Sequence, residues 1–185
     1  MTASLIRSAS PADAAGIAAV HVESWRATYP GMLPDRYLVG LSTAVHERRW
    51  RGLLQGPPQR GRRTFVAQAG GEVVGFASCG PQRTGLPGYG GEFYAVYLLD
   101  RVQGQGLGRR LLGAMAQGLL ADGRGAAVVW VLRDNPSRFF YERLGGALLA
   151  EQPLSFAGAR LTECAYGWAD LLPLARLAAD PPVSG

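Results

Sequence analysis

Apolar residues recur every three to four positions in several segments of the chain, a spacing typical of amphipathic helices. The first segment follows the helix-start signal SPAD at residues 10–13 and carries Ile17, Val20 and Trp25. A second helical pattern occupies residues 42–57 and ends where Gly and Pro stand together. We therefore predict two helices near the N-terminus, separated by the stretch TYPGMLPD, which contains too much Pro and Gly to stay regular.

Strand patterns dominate the middle and the end of the chain. The sequence TFVAQAGGEVVGFASCG, residues 64–80, predicts two strands joined at a Gly-Gly turn. A turn-rich loop at residues 80–91 precedes EFYAVYLL, residues 92–99, which is strongly β-prone. Residues 126–132, AAVVWVL, predict a short buried strand, and residues 147–171 predict a final hairpin.

A third amphipathic helix begins near Leu107 and ends at Gly123, between two of these strands. A strand-helix-strand crossover makes its two strands parallel, whereas the other neighbours are expected to be antiparallel. Asn135-Pro136 starts a further short helix. The pattern predicts an α+β fold with one domain at residues 1–173 and a flexible tail at residues 174–185.

Composition narrows the classes of function. About half of the 185 residues are hydrophobic, no apolar run approaches the length of a membrane span, and the first residues lack a secretory signal, so we expect a cytoplasmic protein without a membrane partner. All nineteen basic residues are arginine, which excludes Schiff-base and Walker-type lysines. The formal charge of +5 suits an anionic ligand, but scattered arginines disfavour nucleic acid.

Cysteine and histidine give no sign of a metal. Cys79 and Cys164 are the two cysteines of the chain, and neither has a metal-type spacing to His21 or His46. We expect both thiols to be small core residues and expect no metal cofactor.

Glycines at alternate positions mark the start of the third helix, in the segment LLDRVQGQGLGRRLLGAM at residues 98–115. Unpaired amides and the helix dipole at such a turn can hold a phosphate without a charged side chain. A dinucleotide fingerprint beginning at Gly104 would need a glycine where Arg109 stands, which disfavours a Rossmann site. A tight turn that binds no ligand remains the alternative on these residues alone.

The hexapeptide QGQGLG, residues 103–108, resembles the Gln/Arg-x-x-Gly-x-Gly/Ala pyrophosphate loop of the GNAT superfamily of N-acetyltransferases. The order of elements is similar to that family over roughly residues 5–170. The resemblance implies a three-layer α/β/α fold with a mostly antiparallel sheet, in which two parallel central strands splay apart. It also implies acetyl-CoA as the acetyl donor, with its pantetheine arm between those strands.

Individual residues of this sequence match positions that bind the cofactor in the family, and the resemblance implies the same roles for them here. The amide of Leu98 would polarise the thioester carbonyl, as an oxyanion donor does. Pantetheine would pair with the main chain of residues 97–99, and the pyrophosphate would contact residues 103–109. The cofactor contacts implied in this way are Tyr97, Leu98, Leu99, Gln103, Gly104, Gln105, Gly106, Leu107, Gly108, Arg109, Asn135 and Tyr141.

Two side chains match the family's proton carriers. Glu92 resembles the general-base glutamate at the start of the central strand, acting directly or through water, although a carboxylate that only pairs with an arginine is the alternative. Tyr141 resembles the tyrosine that protonates the coenzyme A sulfur; the alternative is a tyrosine satisfied by backbone. Asp100 and Gly146 depart from the family pattern, which has proline and an aromatic residue there.

We expect the acceptor to be the primary amine of a small molecule, because the sequence has no long acidic segment of the kind that would bind a polycationic acceptor. Candidate acceptor contacts are Trp25, Tyr29, Tyr89 and Glu92, with Phe156 as a further pocket lining. Acetylation of a protein or peptide amino group, and a regulator that binds acyl-CoA without turnover, stay open as alternatives. Family members that pair as dimers make a homodimer an additional expectation.

Overall fold

A computed structural model describes residues 4–56 and 61–179. Within them the strands are β1 (Ser4–Ser8), β2 (Arg63–Ala69), β3 (Glu72–Pro81), β4 (Gly91–Leu98), β5 (Ala127–Leu132), β6 (Ala147–Phe156) and β7 (Ala159–Trp168). The helices are α1 (Ala14–Thr28), α2 (Asp35–Val39), α3 (Thr43–Gln55), α4 (Leu107–Ala121), α5 (Arg138–Arg143) and α6 (Leu172–Ala175). One mixed sheet has the strand order β1-β2-β3-β4-β5-β7-β6, which confirms the predicted fold class.

Local sequence explains where the N-terminal helices begin. The carboxylate of Asp13 accepts a hydrogen bond from the backbone amide of Ser10 at 2.7 Å, so the start signal before α1 folds as a capping box. The hydroxyl of Ser42 accepts from the amide of Val45 and caps α3. Both predicted helices are confirmed, while the short α2 between them was not predicted.

Neighbouring strands are antiparallel except at the centre of the sheet. The hairpins β2–β3 and β6–β7 match the predicted ones, and Gly70 and Gly71 have positive φ at the first turn. The edge strand β1, which pairs with β2, was not predicted because five residues give too short an alternation to read.

The parallel pair β4–β5 is short. Pairing covers residues 91–93 of β4 and 127–129 of β5, and both strands then continue without pairing to each other. The predicted splay of the central strands is therefore confirmed. A gap opens between residues 94–98 and 130–132.

Helices cover both faces of the sheet. On one face, Phe76 of β3 packs against Trp50 of α3, with ring centroids 5.1 Å apart. On the other, the thiol of Cys79 donates to the carbonyl of Met115 in α4. Cys79 and Cys164 are buried and not disulfide-bonded, as expected of core residues.

The C-terminal prediction was wrong at its start. Residues 172–178 form α6 and a short 3₁₀ turn that pack on α4, and Leu174 is buried. Gly113 of α4 makes this approach close, because a Cβ there would lie 2.4 Å from the amide nitrogen of Ala178. The rest of the expected tail, residues 180–185, lies outside the described residues. None of the helices in the described ranges is long and apolar enough to cross a membrane.

Candidate active site

The gap between β4 and β5 forms a cavity of about 250 Å³, which we call the strand cleft. Its walls are residues 94–98 and 129–132, and it is closed by side chains from α1 and from the segment around α5. The register of β4 against β3 shifts at Tyr94, since Ser78 faces Ala95 while Cys79 faces Phe93. This β-bulge twists β4 at the point where it leaves β5.

The main chain of β4 presents an unpaired edge to the cleft. The amide of Leu99 donates to the carbonyl of Val74 at 3.0 Å, so Leu99 faces β3. Since main-chain groups alternate along an antiparallel strand, the amide and carbonyl of Leu98 face away from β3 and towards the gap. The predicted main-chain role therefore fits Leu98 but not Leu99 or Tyr97, whose main-chain groups turn towards β3. Leu99 is also buried and does not line the cleft.

Gln103 closes the end of this edge. Its side-chain amide donates to the carbonyl of Leu98 at 3.2 Å and to Asp100 Oδ1 at 2.9 Å. Asp100, which replaces the family's proline, thus anchors Gln103 where it lines both the cleft and the next cavity.

The glycine turn opens a second cavity of about 550 Å³, which we call the glycine-turn cavity. Gly104 and Gly106 have φ values of +74° and +81°, and Gly106 is the N-cap of α4 without any side-chain cap. The first backbone bond of the helix runs from Arg110 to Gly106, so the amides of residues 107–109 have no intrahelical acceptor. Of the predicted contacts in residues 104–109, Gly104, Gly106, Gly108 and Arg109 line this cavity, whereas Leu107 does not and its side chain is buried.

Gln105, one of the predicted cofactor contacts, turns its side chain away from the glycine-turn cavity. Its amide donates to the carbonyl of Arg101, and the residue does not line the glycine-turn cavity. Asn135 is buried and lines the strand cleft, while its Oδ1 accepts from the amide of Ser137 at 2.9 Å. Asn135 therefore both starts α5 and lies within reach of the cleft.

Tyr141 lines both the strand cleft and the glycine-turn cavity and is 7% exposed. Burial, with a smaller contribution from Tyr29, raises the pKa of Tyr141 well above its ordinary value. Its hydroxyl forms no hydrogen bond with any residue that the structure describes, so the backbone-satisfied alternative is not observed. A Cβ at Gly146 would lie 2.8 Å from Trp168 and 2.9 Å from the carbonyl oxygen of Tyr141, so the glycine lets Trp168 pack closely against the end of α5.

Glu92 is buried beneath the loop between β3 and β4. Its carboxylate accepts hydrogen bonds from the amide of Arg83 at 2.9 Å and from the Arg83 guanidinium, with which it forms an ion pair. Glu92 lines neither the strand cleft nor the glycine-turn cavity. The arginine pairing weighed as the alternative is therefore present in the structure.

Aromatic side chains from β4 and from the end of α1 close one side of the cleft, where the acceptor contacts were predicted. The hydroxyls of Tyr29 and Tyr97 are 3.1 Å apart and hydrogen-bonded, and the ring of Trp25 lies 4.9 Å from that of Tyr29. Tyr97, expected to contribute only main chain and packing, therefore brings a hydroxyl into the cleft. The fourth predicted acceptor contact, Tyr89, lines none of these cavities and packs over Gly167 of β7 instead.

A third cavity, missed by sequence reasoning, adjoins the cleft on the α1 side. We call it the arginine cavity; it measures about 250 Å³ and shares Trp25, Tyr94, Ala95, Tyr97 and Phe156 with the cleft. Its polar lining residues are His21, His46, Arg49, Arg62, Ser78 and Arg83. No group of three or more His, Cys, Asp or Glu side chains able to hold a metal occurs in residues 4–56 and 61–179.

Comparisons with known proteins agree with this architecture. The family model of FR47-like proteins matches residues 85–153. The chain is 43% identical over 174 residues to the uncharacterized N-acetyltransferase YuaI of Bacillus subtilis (strain 168), covering 93% of this chain and 96% of YuaI.

Two solved structures share the fold. A GNAT-family protein from Desulfovibrio desulfuricans has a TM-score of 0.70 at 21% identity, covering 91% of this chain and 99% of its own. The protein yncA of Salmonella typhimurium, solved with acetyl-CoA, has a TM-score of 0.67 at 22% identity and full coverage of both chains.

The sheet that opens at its parallel pair, beside a glycine turn at a helix N-terminus, belongs to a fold that this chain shares with a solved GNAT-family structure. The identity to YuaI over nearly the whole of both chains carries the assignment further. The chain belongs to the GNAT superfamily of N-acetyltransferases and is an acyltransferase enzyme.

Proposed function

We propose that this enzyme transfers the acetyl group of acetyl-CoA to a primary amine of a small molecule, by direct attack in a ternary complex. The observation that carries the proposal is the continuity of two cavities. The glycine-turn cavity and the strand cleft share Val96, Leu98, Gln103, Ser137 and Tyr141. A ligand with a pyrophosphate at one end and a thioester at the other would fit along that path.

The residues of the glycine turn suit a pyrophosphate. Amides without a backbone acceptor at residues 107–109 supply hydrogen-bond donors at the positive end of the α4 dipole. Arg109, which lines the same cavity, adds a full positive charge. Acetyl-CoA, once bound there, would supply an activated thioester carbonyl in the strand cleft.

Leu98 and Tyr141 then supply the polar groups that the reaction needs. The amide of Leu98, on the unpaired edge of β4, would donate to the oxyanion that develops on the carbonyl. Tyr141 would donate its proton to the departing sulfur, since its raised pKa keeps the hydroxyl protonated.

We further propose that Glu92 takes the proton of the attacking ammonium through water. Its carboxylate is enclosed by Arg83 and does not line the cleft, so the geometry favours a water-mediated path over direct contact. Arg83, which lines the arginine cavity, stands between Glu92 and the acceptor side.

Two glycines at opposite ends of α4 allow a matched test of the donor site. Gly104 and Gly123 have φ values of +74° and +76°, and neither would bring a Cβ within 4 Å of another residue. Alanine at either position therefore costs about 1–2 kcal/mol of backbone strain with no steric clash. We expect Gly104→Ala to weaken coenzyme A binding roughly tenfold, because relief of the strain turns the amides away, while Gly123→Ala leaves binding unchanged.

Calorimetric titration with coenzyme A measures this difference, and a screen of primary amines for acetyl-CoA-dependent thiol release measures the activity. Equal affinity of the two variants would refute the amide cradle. Tight coenzyme A binding without thiol release from any amine would identify a regulator instead of an active enzyme.

A further inference from the structure

The arginine cavity is lined by three arginines, and carboxylates do not neutralise all of their positive charge. Arg83 is paired with Glu92. In contrast, Arg49 and Arg62 form no ion pair with any carboxylate in the part of the chain that the structure describes. Two guanidinium groups therefore face a cavity of small-molecule size without a counterion from the protein.

Buried polar atoms in the same cavity also lack partners. Ser78, from the central strand β3, is 1% exposed, yet its hydroxyl has no hydrogen-bond partner among the described residues. The same holds for Nε of Arg62 and for Nδ1 of both His21 and His46. Because buried polar groups in native proteins are nearly always paired with protein, water or a ligand, this cluster supplies hydrogen-bonding groups that a ligand in the cavity could satisfy.

The surroundings explain why only an anion would complete this cluster. Burial, followed by the charges of His46 and Arg49, lowers the pKa of His21 to about 4. Burial, with repulsion from Arg83 and Arg49, also lowers the pKa of Arg62. The positively charged groups in the cavity therefore already repel one another. A cationic ligand such as a polyamine would add to this repulsion, whereas an anion would reduce it.

The cavity is separate from the pyrophosphate path. It shares no lining residue with the glycine-turn cavity and meets the strand cleft through the aromatic residues around Tyr97. An anion bound at Arg49 and Arg62 would therefore belong to the acceptor and not to coenzyme A. The rest of the acceptor would extend towards Leu98.

We propose that Arg49, Arg62 and Ser78 bind a carboxylate of the acceptor, so that the acceptor is an amino acid. This proposal rests on the proposed function, since it names the substrate class of the same site. The carboxylate takes charge-assisted hydrogen bonds from both guanidinium groups, and the amine lies in the strand cleft. The aromatic walls, which include Trp25, Trp50 and Phe76, favour an apolar side chain.

Matched substrates test the class. Each amino acid is compared with the amine left after removal of its carboxylate, for example phenylalanine with phenethylamine, in a thiol-release assay. We expect kcat/KM to be higher for the amino acid by roughly ten- to a hundredfold, the usual difference that a charged hydrogen bond makes. Equal or faster turnover of the decarboxylated amines would overturn the proposal and leave the acetyltransferase function standing.

Matched variants test the residues. We expect Arg49→Gln and Arg62→Gln each to lower kcat/KM for the amino acid by about tenfold or more, to leave the decarboxylated amine unaffected, and to bind coenzyme A normally. Arg48→Gln removes the same charge from the neighbouring residue of α3, which is exposed and does not line the cavity, and should change neither substrate. An effect of Arg48→Gln equal to that of Arg49→Gln would indicate long-range charge and contradict a specific site.

A binding measurement separates this proposal from the proposed function. Calorimetry with an N-acetyl amino acid reports on the acceptor site without turnover. Binding that is lost in Arg62→Gln and restored in Arg62→Lys supports the carboxylate site even when every tested amine reacts slowly. Absence of binding in the parent protein, with coenzyme A still bound, rejects the carboxylate site alone; loss of coenzyme A binding rejects the proposed function itself.

Discussion

Tyr141→Phe isolates the proton donor of the proposed reaction. The change removes one oxygen atom from a ring that is held by Phe140 and Trp168, at centroid distances of 5.3 and 6.2 Å. Because the hydroxyl has no hydrogen-bond partner among the described residues, phenylalanine leaves no described group unpaired. The free energy of unfolding should therefore change by less than about 1 kcal/mol.

The size of the effect on catalysis follows from the pKa. General acid catalysis contributes a factor of about 10² to 10⁴ and is strongest when the donor's pKa is close to the working pH. Burial raises the pKa of Tyr141 above that of the thiol it would protonate, so the proton is only partly transferred in the transition state. We therefore expect the lower end, a loss of about 100-fold, or roughly 2.7 kcal/mol of activation free energy.

Single-turnover thiol release measures this loss at the chemical step, and calorimetry measures coenzyme A affinity, which should stay nearly unchanged. Tyr166→Phe is the control: Tyr166 is equally buried, but its hydroxyl donates to Glu142 and does not line the strand cleft. A single-turnover rate equal to the parent's with a good acceptor would refute Tyr141 as the acid. A parallel loss of coenzyme A affinity would assign Tyr141 to packing.

Two further predictions concern buried carboxylates. Glu92→Gln should flatten the rise of kcat with pH that a general base produces; the parent's profile in Glu92→Gln would leave Glu92 only its ion pair with Arg83. Hydrogen bonds from Arg7 and, to a smaller extent, from Ser10 lower the pKa of Asp13 from 3.8 to about 2, so these contacts together stabilise the fold by about 2 kcal/mol above pH 4, and this is lost as the pH falls towards 2. Urea unfolding should show Asp13→Asn less stable at neutral pH by that amount, with a difference that narrows below pH 4; a pH-independent difference would contradict the linkage.

The sequence predicted those parts of the fold that local patterns determine. The capped starts of α1 and α3, the Gly-Gly hairpin and the long apolar repeat of α4 are each encoded within nineteen residues or fewer. The edge strand β1 and the packed residues 172–178 were missed, since both depend on distant partners: β1 on β2, and Leu174 on α4. An exposed edge or a short terminal turn leaves little periodicity to recognise.

The glycine turn could also be predicted from the sequence, because it too is encoded by a short local pattern. Residues 103–108 are contiguous, and their glycines serve one backbone conformation, so motif and geometry coincide at Gly104 and Gly106. Two predicted contacts nearby differ from the rest in their orientation. Gln105 and Leu99 lie at the predicted positions, but one side chain folds back onto Arg101 and the other residue turns its amide to β3.

The arginine cavity, in contrast, could not be predicted from the sequence alone. The polar groups of the arginine cavity come from α1, α3, the segment before β2, β3 and the loop after it, separated by up to sixty residues along the chain. No spacing relates Arg49 to Arg62, and nothing local distinguishes either from Arg48 or Arg63, which face elsewhere. Only the packing of α1 against the sheet and of α3 against α1 and Phe76 of β3 brings these separate arginines to one cavity. The proposed pyrophosphate site is thus encoded by a short backbone motif, whereas the proposed acceptor site depends on tertiary contacts that bring single side chains together.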